Sequence, residues 1–377
     1  MWRLVAAAVA ALEVARAASS LPCEGEGDEA CQVLQAEPAE APLLQLKQPS
    51  LLQGGRVYEM AATGLCPRHS KFGRCPQFGI IAPNDYERVK LAEVANLTDV
   101  KGYQAGGFYF ERGSFDGIDV VVVTCGLAMV NSAAATSLVV ELYNPGAIMM
   151  YGIAGAVTSS VNFADVVVPG AWADTGHFVW TRAGYNASTD PLPLEGVVYS
   201  REPPNVEFMF PGYTTHPVTG TFYVQTSEIM VETPQETGKF ERELFMEVDA
   251  KLLAAAQKVV ADGNLKLQSC LPDKSRCLVP APVMQVQPDR AGASASIFVD
   301  NASWRKFLDQ KLKVSTTDME TSAAAQVCKA LGVPFLAFRS VSDKAGGDPS
   351  TNEAGVFSDL AAGNAAVAMV AVMKAAA

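Results

Sequence analysis

Histidine is almost missing from this chain: three residues, His69, His177 and His216, among 377. None of the eight cysteines stands at a zinc-binding spacing, so no metal site is expected. Basic runs are missing as well. The net charge is −11, with 29 Lys and Arg against 40 Asp and Glu, and no cationic stripe offers itself to nucleic acid or to an anionic membrane surface. Past the first residues, no segment supplies the ~18 uninterrupted apolar positions that a membrane span needs. "AAGNAAVAMVAVMKAAA" at the end comes closest, and Asn364 and Lys374 mark it as a packed helix. There is no internal repeat.

What is present suits a large globular domain, since 49% of residues are hydrophobic and 18% charged. "MWRLVAAAVAALEVARA" has a basic start, an apolar run and an Ala15-Arg16-Ala17 cleavage signal, so residues 1–17 are expected to be a signal peptide for the secretory route. The destination is left open between secretion, the cell surface and a vacuole-like store. Residues 18–76 are acidic, then Pro-, Gln- and Leu-rich without a period, and are expected to form a flexible leader. Cys23/Cys31, Cys66/Cys75 and Cys270/Cys277 are local pairs in polar surroundings and suit disulfides. Cys125 and Cys328 lie in apolar segments and are expected to be buried thiols. Asn96, Asn186 and Asn301 head glycosylation sequons.

From residue 77 to 377 the pattern is that of one α/β domain. "QFGIIAP", "IDVVVVTCG", "AIMMYG", "ADVVVPGAWA" and "FLAFRSVSD" are short apolar runs, as strands buried on both faces should be. "MVNSAAATSLVVELYNPG" and "METSAAAQVCKALGVP" are helices, closed by Asn144-Pro145-Gly146 and by Gly332 and Pro334. This alternation predicts a three-layer domain with a largely parallel sheet. Its site belongs outside the carboxyl ends of the strands, where "GIAGAV" is expected as a loop and "SVSDKAGG" follows the last strand. The Pro- and aromatic-rich stretch from Leu192 to Phe222 is expected to be a loop excursion.

Several residues could carry chemistry, each with a plainer alternative. In "TTDMETSAAAQVC", Asp318 suits a helix cap, while Glu320 suits either the first turn of the helix or a pocket that grips hydroxyl groups. Asp343 ends a buried strand beside Ser342, where burial would help it hold a proton; a turn aspartate is the alternative. Gly152 opens a segment that lets backbone approach a ligand. Glu87 and Arg88 start a helix after the first strand, where solvated charges are common. Phe298 and Val299 sit on a short apolar segment that would equally suit core packing.

In order and spacing, "YGIAGAV", "ADVVVPGAWADTGHFVW", "GASASIFVDNASWRKFL", "DMETSAAAQVC" and "PFLAFRSVSDKAGG" resemble the nucleoside phosphorylase superfamily, which includes the methylthioadenosine/S-adenosylhomocysteine nucleosidases. Within it, the plant bark storage and vegetative storage proteins are the nearest likeness. The resemblance implies a central mixed sheet, partly closed as a barrel and flanked by helices, and a homo-oligomer. It implies a purine nucleoside or related small molecule as the binding partner, and no cofactor. By position, it makes Glu320 the ligand of the ribose hydroxyls and Met319 the residue packed on the sugar. Phe298 becomes the aromatic stacked on the base, with Val299 beside it. Asp343 becomes the general acid at purine N7, and Glu87 the carboxylate that activates water. Gly152 and Ser342 fall in the binding segment.

Phosphorolytic relatives carry Gly-Asp-Pro-x-Arg at the first strand, with an arginine and a Ser or Thr further on. This chain has "PNDYERVK", keeping Asp85 and Arg88, with Arg88 the remaining phosphate candidate; Met150 and Ile153 occupy the other two positions. Each lost charge-assisted hydrogen bond is worth roughly 1.5–3 kcal/mol, so hydrolysis is expected over phosphorolysis. A storage or binding protein without turnover is the alternative.

Overall fold

The computed structural model describes residues 75–176, 179–180, 223–224, 231–234, 240–346 and 352–377. The expected signal peptide, the leader through residue 74, sequon Asn186 and the stretch from Leu192 to Phe222 lie outside these residues.

The sheet has ten strands: β1 Phe78–Ala82, β2 Thr98–Ala105, β3 Phe108–Phe115, β4 Ile118–Thr124, β5 Ala147–Ala156, β6 Val166–Asp174, β7 Phe245–Glu247, β8 Met284–Ser294, β9 Val314–Asp318 and β10 Phe335–Asp343. The helices are α1 Asp85–Val94, α2 Met129–Tyr143, α3 Ala250–Ala261, α4 Ala302–Leu312, α5 Thr321–Leu331 and α6 Ala354–Ala376. Two short two-stranded ribbons lie apart from the main sheet.

The sheet is mixed and half closed. β5 pairs in parallel with β10, β10 runs antiparallel to β6, β6 and β8 are parallel, β8 and β9 are parallel, and β9 returns antiparallel to β5. These five strands form a closed circuit. From the first half of β5 an open wing continues through β1, β4, β3 and β2. Strands β1, β5 and β10 are buried nearly throughout, because helices cover both faces, which is why their sequences are continuous apolar runs.

"GIAGAV" is not a loop. β5 runs on to Ala156, pairing Gly152 with Arg339 and Gly155 with Asp343. Its glycines serve close approach rather than a turn. A Cβ at Gly152 would lie 2.5 Å from both Glu87 Oε1 and Arg339 Nη1, and one at Gly155 would lie 3.0 Å from Asp343 Oδ1.

α6 is long and apolar enough to cross a membrane by length and composition, and most of it is buried inside the domain, against β10, β5, α1 and α3. The fully buried Asn364 fits there because its amide is satisfied. It donates to the carbonyls of Ala164 (3.1 Å) and Gln268 (2.9 Å) and accepts from Gln268 N (2.8 Å). Cys270 and Cys277 form a disulfide. Cys75 is also disulfide-bonded. Cys125 and Cys328 are free and buried, and burial pushes both thiols up, which keeps them inert.

Candidate active site

The pairing of β1 with β5 ends at Ile81 and Met150, and on that side β5 runs unpaired until β9 joins it at Gly155 and Ala156. Into the opening α1 directs Glu87. Asn84 caps the helix by accepting from Glu87 N at 3.1 Å, which fixes the first turn. The Glu87 carboxylate is buried. Its Oε1 accepts from Ile153 N at 2.7 Å, and its Oε2 has no partner among the described residues. Burial pushes Glu87 from its ordinary 4.5 up to about 8, against the pull of Arg339 and the Ile153 amide. Solvated helix charge, one reading of this position, is therefore wrong for Glu87.

Arg88, the residue next to it, turns the other way. Its guanidinium is bound by Glu111 of β3 through Nε (2.9 Å) and Nη2. That pairing shares its charge with a carboxylate, which weighs against the phosphate role considered for Arg88.

Arg339, in the middle of β10, is the hub, and the sequence reading did not assign it. It is fully buried. Nε lies 2.8 Å from both Thr321 Oγ1 and Asp318 Oδ2, Nη1 donates to the Ile153 carbonyl at 3.1 Å, and Nη2 to Glu320 Oε2 at 3.3 Å. A charge inside "FLAFRSVSD" was the available signal, because a cation on a strand buried on both faces must be paired. Asp318 does cap: Oδ1 accepts from Glu320 N, Thr321 N and Ser294 Oγ at 2.9, 3.0 and 2.7 Å. Glu320 does not. Helix α5 starts after it, and its side chain makes no cap. Instead Oε1 accepts from Ala128 N at 3.0 Å while Oε2 meets Arg339. Burial raises the proton affinity of Glu320, with Arg339 opposing. Each oxygen keeps a lone pair for a hydroxyl group. Ala128, which supplies that N–H, sits at φ 75°, ψ 166°, a conformation that residues other than glycine rarely adopt and that clusters at functional sites.

Asp343 closes the row. It is buried at the end of β10. Ala345 N donates to its Oδ1 at 2.8 Å and Ser342 Oγ to its Oδ2 at 2.9 Å. Burial raises its proton affinity above that of an ordinary aspartate, against these donors. Gly152 and Gly155, beside Glu87 and Asp343, are three residues apart on one strand, roughly 10 Å at ~3.3 Å per residue. Glu87 and Glu320 therefore share one end of this line around Arg339, and Asp343 holds the other. Met319 is half-buried beside Glu320. Phe298 is 58% exposed on the loop after β8, and Val299 half-buried, so neither belongs to the core. Ser342 faces Asp343 and the Ala154 carbonyl rather than open space.

One consequence concerns stability. Glu87 binds its proton more tightly folded than unfolded, so its contribution is complete below about pH 4.5 and is lost as pH rises through about 8. Glu87→Gln removes that dependence. The variant is expected to gain on the parent between pH 5 and 8, by at most about 3–4 kcal/mol, as urea unfolding at both pH values would reveal. An equal gap at the two would refute the burial account.

A family model described as the phosphorylase superfamily matches residues 77–374. A 5′-methylthioadenosine/S-adenosylhomocysteine nucleosidase of Shewanella halifaxensis is 25% identical over 276 residues, 72% of this chain and 88% of the relative. Among solved structures, futalosine hydrolase of Helicobacter pylori superposes with a TM-score of 0.54 at 18% identity, over 80% of this chain and 98% of that one. A nucleosidase of the methylthioadenosine type from Colwellia psychrerythraea, solved in complex with adenine, gives 0.53 at 20% identity, over 80% and 96%. The structural matches establish the shared fold, and the family match spans most of the sequence: the chain belongs to the phosphorylase superfamily.

Proposed function

We propose that this protein hydrolyses the N-glycosidic bond of purine nucleosides. The observation that carries the reading is the buried Glu87 carboxylate, one oxygen fixed by Ile153 N–H and the other without a protein partner, beside Glu320 and Arg339. Glu320 takes the ribose 2′- and 3′-hydroxyls, Met319 packs on the sugar, and Phe298 and Val299 border the base. Asp343 donates its proton to purine N7 as the bond to C1′ breaks, which turns a poor leaving group into a neutral base. Ionised Glu87 takes a proton from the water that attacks the oxocarbenium-like C1′. The products are the free purine and the free sugar. The names of the relatives, nucleosidases and a hydrolase, support water as the nucleophile. So does the local chemistry: Arg88 is held by Glu111, Met150 is buried, Ile153 has no hydroxyl, and Arg339 is already shared with Asp318 and Glu320.

The test is base release from methylthioadenosine, adenosine and inosine, with and without phosphate. Release without phosphate is the expected result. Release that requires phosphate would overturn hydrolysis, and no release from any of them would favour a storage or binding role. A secretory route for the protein is supported by the Cys270–Cys277 disulfide and by bonded Cys75.

A further inference from the structure

The described residues after β8 and after β10 meet beside Asp343 through three contacts, one of them made by Arg305 of α4. One loop follows β8, carries Phe298 and ends at Asn301, whose side chain caps α4 by accepting from Trp304 N at 2.8 Å. The other follows β10. Gly346, at φ +88°, lies so close to Asp300 and Asn301 that a Cβ there would stand 2.2 Å from Asn301 N. Arg305 Nη1 donates to the Lys344 carbonyl at 2.8 Å. Asn352 Nδ2 donates to Asp300 Oδ1 at 3.2 Å.

Asn352 can be read further. Its Oδ1 accepts from Ala354 N at 2.9 Å, at the start of α6, which settles the orientation of the amide. The NH2 end, with two hydrogens, therefore faces the carboxylates. One hydrogen goes to Asp300, and the amide lies close enough to Asp343 to lower the proton affinity of that carboxyl. We propose that Asn352 and Asp300 are positioning residues for Asp343: the fixed amide holds the Asp343 carboxylate after its proton has left, and Asp300 holds the amide in place. The proposal rests on the hydrolytic reading, in which Asp343 gives up a proton.

The energetic logic is differential. A donor bonds more strongly to a carboxylate than to a neutral carboxyl, so the Asn352 contact strengthens while the proton moves to the base. Ala345 N–H and Ser342 O–H act in the same direction. Asp300 acts oppositely on the resting acid, because its charge favours a protonated neighbour. Among the described residues, Lys344, whose ammonium lies over the Phe163 ring at 5.3 Å, and Arg305, bound to the Lys344 carbonyl, also stand near Asp343. Since Asp300 belongs to the loop of Phe298, base stacking and acid placement are mechanically joined.

Two variants push in opposite directions, which damage to the fold cannot imitate. Asn352→Asp keeps an oxygen for Ala354 N–H, removes the amide donor and adds a like charge. Asp300→Asn removes a like charge and keeps a hydrogen-bonding side chain. The titration of Asp343 is read by carboxyl carbon NMR, assigned with Asp343→Asn. Its midpoint is expected to rise by about one pH unit in Asn352→Asp and to fall by about one in Asp300→Asn. In Asn352→Asp, kcat is also expected to fall roughly 10–100-fold with KM little changed. Midpoints that stay put in both variants, or move in the same direction, overturn the proposal whether or not the parent turns over. Opposite shifts in a protein that releases no base would uphold the coupling to Asp343 and remove only the hydrolytic reading.

Discussion

Asp343→Asn folds normally and releases purine roughly 10²–10⁴-fold more slowly than the parent, the range that a positioned general acid contributes. The fold survives because the asparagine oxygen still accepts from Ala345 N–H, the contact that shapes the turn after β10. What disappears is the transferable proton. Without it the base departs as an anion, and the bond to C1′ holds. The change should fall on kcat and leave KM nearly as it was, since the amide occupies the same space. A nucleoside methylated at N7 carries its positive charge already and needs no acid, so the variant should process it at close to the parental rate. A loss below tenfold on ordinary substrates, or an equal loss on the methylated one, would remove Asp343 from the acid role.

Arg339→Met costs about 3–5 kcal/mol of folding stability, the price of leaving buried carboxylates without their cation. Asp318, Glu320 and Glu87 all face this guanidinium from different elements, β9, the start of α5 and α1. Once it is gone, Glu87 and Glu320, whose burial already favours the protonated form, lose the opposing cation and hold their protons more tightly still in the folded protein than in the unfolded chain. Their contribution is then present at low pH and lost as pH rises, so the gap between parent and variant should narrow toward pH 5 and widen toward pH 8. Urea midpoints at the two pH values measure this directly. A cost under 1 kcal/mol at pH 8 would mean that the cluster is held by packing and hydroxyl contacts instead.

The sequence made some of this architecture plain and hid the rest, for physical reasons. β1, β4, β5, β6 and β10 are legible as apolar runs because both faces are covered. β9, "VSTTD", is equally buried and has only one apolar residue. Its polar atoms are satisfied by distant partners, Thr316 Oγ1 by the Gly155 carbonyl and Asp318 by Arg339 and Ser294, and such pairings have no local trace. β8 contains Pro288 and Asp289 at an irregularity in its pairing, so its alternation is broken. β2 is exposed and mostly polar, so it has little apolar content to betray it. In the site, Asp343 and Glu320 were visible from their places at element ends. Arg88 looked available until Glu111, 23 residues on, came into contact with it.

The closed circuit and the open wing each supply part of the site. Glu87 rides on α1 and belongs to the wing, whereas Glu320, Arg339 and Asp343 belong to the circuit. β5 is the seam, and α6, packed on α1 as well as on β10, is the brace across it. In the hydrolytic reading proposed above, the carboxylate that activates water rides on the wing and the groups that grip sugar and base on the circuit, so substitutions in the brace, far from any ligand, are expected to change turnover more than affinity.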